Sequence, residues 1–189
     1  VTTDAGTRRI ARAAFDYARQ NGKTSVSIVT KANIMKKTDG RFSAICHEIA
    51  QEYPEITAED WYVDIMAANL VNPELRGKLQ VFLMPNLYGD ILTDEAAQIQ
   101  GGVGTAGSAN IGSRYAMFEA IHGSAPRLIE EGLGDYANPA SILKAEAMLL
   151  RHIGLVDRAE RLDAAVQAAM DAGGNPTCRA FADMVLEKL

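Results

Sequence analysis

The fold is indicated most clearly by Val81-Phe82-Leu83-Met84-Pro85, a continuous apolar run that ends at a proline. Such runs are typical of a strand that is buried on both faces of a sheet. The run is followed at once by Asn86-Leu87-Tyr88-Gly89-Asp90, and a second aspartate stands at Asp94. Because α/β proteins bind ligands at the carboxyl ends of their strands, these polar residues stand where a functional site is expected.

The two aspartates have helical spacing within a helix predicted from Tyr88 to Gln100. Asp90 and Asp94 are four residues apart, so on a helix both carboxylates project from one face. Two anionic groups aimed at one point repel each other unless a cation lies between them, and oxygen ligands suit Mg²⁺ or Mn²⁺. The alternative is a helix-capping Asp90 and a solvated Asp94, because aspartates are common near helix starts.

Strands and helices alternate over the first hundred residues, which predicts an α/β fold. The predicted elements are a helix capped by Thr3 or Asp4 with apolar positions Ile10, Ala14, Tyr17 and Ala18, ending at Asn21-Gly22, a strand at Ser25–Val29, a helix from about Phe42 to Tyr53 and a strand at Trp61–Ile65. Residues 101 to 139 are rich in glycine and show one short strand-like run, at 117–121. Two or three amphipathic helices are predicted from Pro139 onward.

Two further charged residues lie in or beside predicted strands. Lys31 follows the end of the first strand, where a neighbouring metal ion would bias its ammonium toward the neutral base. The alternative is an ordinary surface lysine. Asp64 interrupts an apolar strand, where a charge needs a partner, or else it faces water from an edge strand.

Two segments rich in small residues could approach a nucleotide. Gly102-Val103-Gly104-Thr105-Ala106-Gly107 matches Gly-x-Gly-x-x-Gly, but a helix precedes it, so we interpret it as a structural or ligand-facing loop. The segment from Glu119 to Pro126 ends a strand and opens a loop whose backbone N–H groups could reach a phosphate. His122 could stack on a purine or be incidental. A serine hydrolase is disfavoured because the chain lacks a Gly-x-Ser-x-Gly elbow.

Composition excludes several classes of protein. The 189 residues carry a formal charge of −5, and the scattered basic residues give no footprint for nucleic acid. Apolar stretches fall short of the roughly 20 residues that cross a bilayer. Cys46 and Cys178 lack the spacing of a metal site, and we expect two buried thiols in a cytoplasmic protein. The chain begins at Val1, which suggests a processing boundary or a piece of something longer.

Taken in order, the motifs resemble those of the isocitrate, 3-isopropylmalate and homoisocitrate dehydrogenases. The matching segments are Lys31-Ala32-Asn33-Ile34-Met35, Val63-Asp64, Met84 to Asp90 with Asp94, Glu119 to Pro126, Ala137-Asn138-Pro139 and Met148 to Gly154. The resemblance implies a two-domain α/β fold of which the chain holds the C-terminal part. Residues 1–103 would belong to the dimer-forming small domain, and residues 104–189 to the large, cofactor-binding domain.

The resemblance also implies roles for individual residues. Lys31 would take part in removing the hydroxyl proton of a 2-hydroxy acid, and Mg²⁺ or Mn²⁺ would be held by Asp64, Asp90 and Asp94. The residues expected to bind the nicotinamide cofactor are Asn33, Glu119, His122, Gly123, Ser124, Ala125, Pro126 and Asn138. In this family the lysine and the first aspartate serve the neighbouring subunit's site, which implies a homodimer. The family's N-terminal half, which grips the substrate carboxylates, has no match here, so the chain alone is expected to be an incomplete catalyst.

Substrate and cofactor are left open by the motifs. Isocitrate, the substrate of the tricarboxylic acid cycle enzyme, is favoured over 3-isopropylmalate or homoisocitrate because the segments 72–76 and 106–110 resemble those of isocitrate-type members of the family. Arg127 could pair with the 2′-phosphate of NADP, but the loop from Leu128 to Tyr136 is longer than usual, and NAD is favoured. A non-catalytic regulatory subunit and a truncated dimerisation module are alternatives. The presence of Lys31 and all three aspartates favours a catalyst.

Overall fold

The structure, a computed structural model, describes residues 2–189, and its α/β class agrees with the prediction from the sequence. The chain forms two compact units that divide between Ala96 and Ala97. Unit 1 is the part up to Ala96, and unit 2 runs from Ala97 to Leu189. The division predicted between residues 103 and 104, and the domain roles attached to it, stay predictions.

Unit 1 is built on a parallel three-stranded sheet in the order β2-β1-β3. Its elements are α1 (Asp4–Gln20), β1 (Ser25–Thr30), α2 (Asp39–Ala50), β2 (Thr57–Tyr62), α3 (Val63–Val71), α4 (Pro73–Arg76), β3 (Val81–Leu83) and α5 (Asn86–Ile99), the last turn of which crosses the division. Strand β1 lies between its two partners, so five of its six residues are buried rather than alternating.

Helices α1 and α2 contact each other and cover the sheet with one apolar core. Thr3 caps α1 by accepting a hydrogen bond from the backbone N–H of Gly6. The buried face of α1 consists of Thr7, Ala11, Phe15 and Ala18. The apolar face predicted from the sequence was therefore wrong in part, since Ile10 and Tyr17 are about half exposed. Helix α2 begins at Asp39, three residues before the predicted start.

The second predicted strand is displaced, and this changes the setting of Asp64. Strand β2 ends at Tyr62, which is the partner of the last β1 residue, Thr30. Beyond that point β2 has no neighbour to pair with, and the chain enters helix α3 at Val63. Asp64 therefore lies in the first turn of a helix, where the dipole favours a carboxylate, and not inside a strand as predicted.

Unit 2 consists of a β-hairpin and a helical layer. Its elements are β4 (Gly107–Ile111), β5 (Ala116–Ala120), α6 (Pro126–Glu130), α7 (Ala140–His152), α8 (Val156–Asp171) and α9 (Cys178–Leu186), with short 3₁₀ helices at Val103–Thr105 and Gly134–Tyr136. Helix α7 contacts both strands and packs on α8, which in turn contacts α9. The three C-terminal helices and their breaks near Gly154 and at 173–176 confirm the prediction.

The antiparallel hairpin of β4 and β5 was missed in the glycine-rich segment, where only the second strand was predicted. Close packing explains why residue 107 is a glycine. A Cβ atom there would lie 2.5 Å from the backbone nitrogen of Ala145, so only glycine lets α7 approach β4 this closely. The last glycine of the Gly-x-Gly-x-x-Gly match is thus required for packing between β4 and α7.

The two cysteines differ in their surroundings. Cys46 is buried, and burial raises the pKa of its thiol to about 12. Cys178 is exposed, so the expectation of two buried thiols was wrong for this residue. Among the described residues, no helix is both long enough and apolar enough to cross a membrane.

Candidate active site

Lys31 lies at the carboxyl end of β1, directly after the sheet, as the sequence predicted. Its Nζ atom donates to Oδ1 of Asp64 at 2.6 Å and lies 5.9 Å from the centre of the Tyr62 ring. This contact joins the carboxyl ends of the neighbouring strands β1 and β2, because Tyr62 ends β2 and Asp64 follows it. The hydrogen bond from Lys31 holds the pKa of the Asp64 carboxyl below its usual value.

The backbone around Lys31 is fixed by several hydrogen bonds. The N–H of Lys31 donates to Oδ2 of Asp39 at 2.7 Å. The carbonyl of Lys31 accepts from the N–H groups of Ile34 and Met35, at 2.9 and 2.8 Å. The chain thus makes a tight turn directly after β1, and Asn33 lies exposed within it. Because both peptide groups of Lys31 are held, its side chain starts from a defined position.

Asp90 and Asp94 lie one turn apart on α5, which begins just after β3. The side chains of Asp90 and Asp94 are exposed, whereas Leu92 and Ala97 of the same helix are buried. Oδ2 of Asp90 accepts a hydrogen bond from the side-chain amide of Asn86 at 3.0 Å. The prediction that Asp90 and Asp94 lie on one face of a helix is therefore confirmed, and their exposure alone does not separate metal ligands from solvated residues.

The three aspartates do not meet within one chain. Among residues 2–189, no group of three His, Cys, Asp or Glu side chains is close enough to hold a metal ion. Asp90 and Asp94 supply oxygen donors of the kind that Mg²⁺ and Mn²⁺ prefer, but two carboxylates are an incomplete ligand set. The metal site of Asp64, Asp90 and Asp94 therefore stays a prediction.

In unit 2 the predicted cofactor residues follow the hairpin and lie on the surface. Glu119 of β5 accepts from the side-chain amide of Asn110 at 2.7 Å. Beyond β5, Nδ1 of His122 lies 2.9 Å from the carbonyl oxygen of Gly123, and Gly123, Ser124 and Pro126 are exposed. This arrangement leaves the loop of small residues open to a ligand.

Two backbone features fix the ends of this segment. Ala125 has φ 45° and ψ 58°, a left-handed conformation that is unusual for alanine, and α6 starts at the next residue, Pro126. Asn138 accepts a hydrogen bond from the N–H of Ala140 at 2.9 Å, at the start of α7. Asn138 thus has a structural role beside any contact with a cofactor. Arg127 is exposed on α6.

Ser141, fully buried on α7, connects this loop with the hairpin. Its hydroxyl accepts from the N–H of Ile121 at 3.1 Å and donates to the carbonyl of Ala106. Ile121 directly precedes His122, so the hydroxyl fixes the point at which the loop begins.

Sequence reasoning missed the connecting roles of Asp39, Tyr88 and Ser141. Tyr88 donates from its hydroxyl to Oδ2 of Asp39 at 2.7 Å. Burial, followed by this hydrogen bond, raises the pKa of Tyr88 to about 12, so the phenol remains a donor at neutral pH. A signal for Asp39 was available in Thr38-Asp39-Gly40, a helix start, but α2 was predicted to begin at Phe42.

Comparisons with known proteins identify the family. A sequence model of the family described as isocitrate/isopropylmalate dehydrogenase matches residues 1–183. The alpha subunit of mitochondrial NAD isocitrate dehydrogenase from Macaca fascicularis is 40% identical over 99% of this chain and 55% of its own. The NADP isocitrate dehydrogenase of Rickettsia prowazekii is 46% identical over 89% of this chain and 34% of its own.

Structural comparison agrees with this. The crystal structure of the Methylococcus capsulatus isocitrate dehydrogenase superposes with a TM-score of 0.92 and 40% identity, over 100% of this chain and 57% of that chain. The chain thus spans from about a third to a little over half of the length of these relatives. The chain belongs to the isocitrate/isopropylmalate dehydrogenase family.

Proposed function

We propose that the chain supplies the catalytic lysine, the metal carboxylates and part of the cofactor site of an isocitrate dehydrogenase that oxidises and decarboxylates its substrate. The observation that carries the proposal is the 2.6 Å contact between Lys31 and Asp64 at the carboxyl edge of the parallel sheet. Isocitrate is favoured over 3-isopropylmalate because the relatives compared above are named isocitrate dehydrogenases, of both the NAD and the NADP type.

Lys31 would exchange a proton between its Nζ and the substrate hydroxyl. Asp64 accepts a hydrogen bond from this ammonium and keeps it on the carboxyl edge of the sheet. The side chain of Lys31 is only about a quarter exposed, so its position is restricted while Asp64 remains accessible. General acid–base catalysis requires a group that stands within hydrogen-bond reach of the proton it transfers.

Asp90 and Asp94 would hold Mg²⁺ or Mn²⁺ together with Asp64. When bound, the metal would polarise the substrate hydroxyl and stabilise the negative charge that develops as carbon dioxide leaves. Asn86 orients Asp90 through its side-chain amide. A nicotinamide cofactor would accept the hydride, with Asn33 beside the nicotinamide.

The adenosine end of the cofactor would lie against Glu119, His122 to Pro126 and Asn138. In support, these residues are exposed, and the loop has small side chains and a backbone fixed at Ala125 and at Ile121. NAD is favoured over NADP on the sequence of the loop after Arg127. The cytoplasmic location predicted from the sequence stays a prediction.

A second copy of the chain would complete the site. Lys31 and Asp64 of one subunit would act with Asp90 and Asp94 of the other, which accounts for the separation of the three aspartates in one chain. Large apolar side chains on α3 and α5 support such a partner, because they are about half exposed or more: Ile65, Val71, Leu87 and Ile91.

The test is NAD- and NADP-dependent oxidation of isocitrate and of 3-isopropylmalate in the presence of Mn²⁺. It is run on the chain itself and on a hybrid in which the chain replaces the matching part of the Methylococcus capsulatus enzyme. We expect isocitrate oxidation in the hybrid and weaker Mn²⁺ binding after Asp90→Asn, measured by calorimetry with isocitrate present. A hybrid without isocitrate oxidation would overturn the proposed function, and unchanged Mn²⁺ affinity would remove Asp90 from the metal site.

A further inference from the structure

The described part of the chain holds one buried charged side chain, Asp39, which is 5% exposed and opens helix α2. None of the salt bridges among residues 2–189 involves Asp39, and the ammonium of Lys31 pairs with Asp64. A buried carboxylate is costly unless hydrogen bonds replace its hydration. The bonds that replace it at Asp39 therefore identify what this residue holds in place.

Three donors satisfy Asp39. Its Oδ2 atom accepts from the backbone N–H of Lys31 and from the hydroxyl of Tyr88, both at 2.7 Å. Its Oδ1 atom accepts from the hydroxyl of Thr38 at 3.2 Å. Two of the three donors come from other elements, and both bind the same oxygen. Asp39 is thus a junction between the turn after β1 and the first turn of α5.

This junction spans two neighbouring strands of the sheet. Strands β1 and β3 pair in parallel, so their carboxyl ends lie at the same edge. Lys31 follows β1, and Tyr88 lies two residues before Asp90 on α5, which follows β3. One carboxylate oxygen therefore connects the backbone of the proposed base to the helix that carries two proposed metal ligands.

We propose that Asp39 is a positioning residue, which fixes the backbone of Lys31 against helix α5 through the hydroxyl of Tyr88. This role rests on the function proposed above. The carbonyl of Lys31 is already held by the N–H groups of Ile34 and Met35, so the bond to Asp39 fixes the remaining peptide group. Without it, the turn keeps its shape but loses its anchor to α5.

The positioning role concerns geometry, and three substitutions separate geometry from charge. Asp39→Ala removes all three hydrogen bonds. Asp39→Asn removes the charge but keeps a carbonyl oxygen that can accept from both Lys31 and Tyr88. Tyr88→Phe removes the bond to α5 and leaves the bond to Lys31.

Tyr53→Phe is the matched control. The hydroxyl of Tyr53 donates to Asp16 at 2.8 Å within the same unit, and Tyr53 is 4% exposed. This substitution also deletes a tyrosine–aspartate hydrogen bond but does not touch Lys31. It therefore reports what the loss of one such bond does to activity through stability alone.

Two measurements are made on each variant. Hydrogen exchange of the Lys31 amide, followed by NMR on the chain itself, reports whether the anchor is intact and does not depend on any reaction. We expect protection in the wild type and in Asp39→Asn, and faster exchange in Asp39→Ala. Steady-state oxidation of isocitrate by the hybrid with the Methylococcus capsulatus enzyme reports the functional consequence.

For the kinetics we expect kcat to fall by about 10- to 100-fold in Asp39→Ala and in Tyr88→Phe, because small displacements of a reacting group are costly. KM for isocitrate should change by less than about threefold. Asp39→Asn should recover at least about tenfold of the activity that Asp39→Ala loses. Tyr53→Phe should lower the unfolding temperature and leave kcat unchanged.

Several outcomes would overturn the proposal. Losses in Tyr88→Phe no larger than those in Tyr53→Phe would reduce Asp39 to a stabilising residue, and this comparison decides the matter if Asp39→Ala fails to fold. An Asp39→Asn variant as poor as Asp39→Ala would mean that the charge matters and the geometry does not. A wild-type hybrid without isocitrate oxidation would overturn the proposed function, and with it the role in that reaction, whereas active wild type with unaffected variants would overturn the role alone.

Discussion

The two units hold their candidate functional residues by different means. In unit 1, side-chain hydrogen bonds fix the candidate residues along the carboxyl edge of the sheet. Lys31 donates to Asp64, and Tyr88 donates to Asp39. In unit 2, the loop after β5 is held through its backbone, by the left-handed Ala125 and the buried hydroxyl of Ser141. Substitution of Lys31 or Asp64 in unit 1 should therefore alter chemistry with little change of fold, and substitutions at the packed positions of unit 2 should alter the fold that presents the loop.

The largest effect is expected from Lys31→Ala, which removes the proposed proton-transfer group from unit 1. Because a positioned acid–base group contributes about 10²- to 10⁴-fold in rate, kcat of the hybrid enzyme for isocitrate should fall by that factor, with little change in its unfolding temperature. Lys23→Ala, which removes an exposed lysine ahead of β1, is the control and should leave kcat unaltered. An unfolding temperature that falls in step with kcat would place Lys31 among the structural residues.

The same variant also tests whether sites are shared between subunits. If Lys31 acts in the partner's site, mixing inactive Lys31→Ala with inactive Asp90→Asn should restore activity, because heterodimers would contain one site with both defects and one intact site. Subunit exchange is verified separately by native mass spectrometry. Exchange without recovered activity would place both residues in the site of their own chain.

A smaller effect, on stability rather than chemistry, is expected from Gly107→Ala in unit 2. The added Cβ would lie 2.5 Å from the nitrogen and 2.8 Å from the Cα of Ala145, so α7 must move away from β4. Overpacking of this kind costs about 1–3 kcal/mol or more in the free energy of unfolding.

Gly104→Ala is the matched control for this prediction. Its nearest neighbour would be Cβ of Asn138 at 3.8 Å, an ordinary contact. Urea unfolding compares the two variants. Equal stability of both variants would show that α7 moves easily. The expectation that substitutions at packed positions of unit 2 act on its fold would then be wrong.

The sequence allowed the sheet edge of unit 1 to be predicted because strand ends and turn residues are local signals. Lys31 follows a run of β-branched residues, and Asp90 follows an apolar run and a proline. The exposed i, i+4 aspartates of α5 needed only the helical repeat. These features depend on a few neighbouring residues and not on distant contacts.

The features that escaped prediction depend on residues far apart in the sequence. Asp64 was assigned to a strand because the end of β2 is set by the length of β1, which pairs with it. Strand β4 was missed because Gly107 and Ala109 give a weak strand signal, and pairing with β5 and packing on α7 override local propensity. The role of Asp39 required knowledge that Tyr88, 49 residues later, reaches it.

The next smaller effect concerns Arg127 and the choice of cofactor in unit 2. A guanidinium that pairs with the 2′-phosphate of NADP would be worth roughly 1.5–3 kcal/mol, about 10- to 100-fold in affinity. Because the resemblance to the family implies a longer loop than usual after Arg127, we expect this side chain to point away from the cofactor. Arg127→Asp should then change kcat/KM for NAD and for NADP by less than about threefold, which is under 1 kcal/mol.

The control for cofactor choice is Arg114→Asp, an equal charge reversal on the turn between β4 and β5. Kinetics with both cofactors are compared in the hybrid enzyme. A large loss confined to NADP would overturn the preference for NAD. A large and equal loss for both cofactors would mean that Arg127 holds the loop together.

The smallest effect is expected from acid, which acts on unit 1 through exposed ion pairs. Arg12 and Arg19 of α1 pair with Glu52 and Glu55, at 2.7 and 2.6 Å. The arginine hydrogen bonds hold the pKa of both carboxyls below its usual value. A carboxyl with a lowered pKa in the folded state stabilises the protein above its unfolded pKa, about 4.3 for Glu. This contribution disappears as the pH falls through the folded value.

Thermal unfolding of Arg12→Gln, compared with wild type at pH 7 and pH 3, tests this directly. We expect Arg12→Gln to unfold at a slightly lower temperature than wild type at pH 7, because Glu52 loses its partner while ionised. At pH 3 the difference should shrink, since Glu52 attracts the guanidinium less as it takes up a proton. Arg9→Gln removes an equal charge from the exposed surface of α1 and should give no pH-dependent difference. If the Arg12→Gln difference stays constant with pH, the packing of the arginine stem, rather than its charge, stabilises α1, because apolar contacts do not titrate.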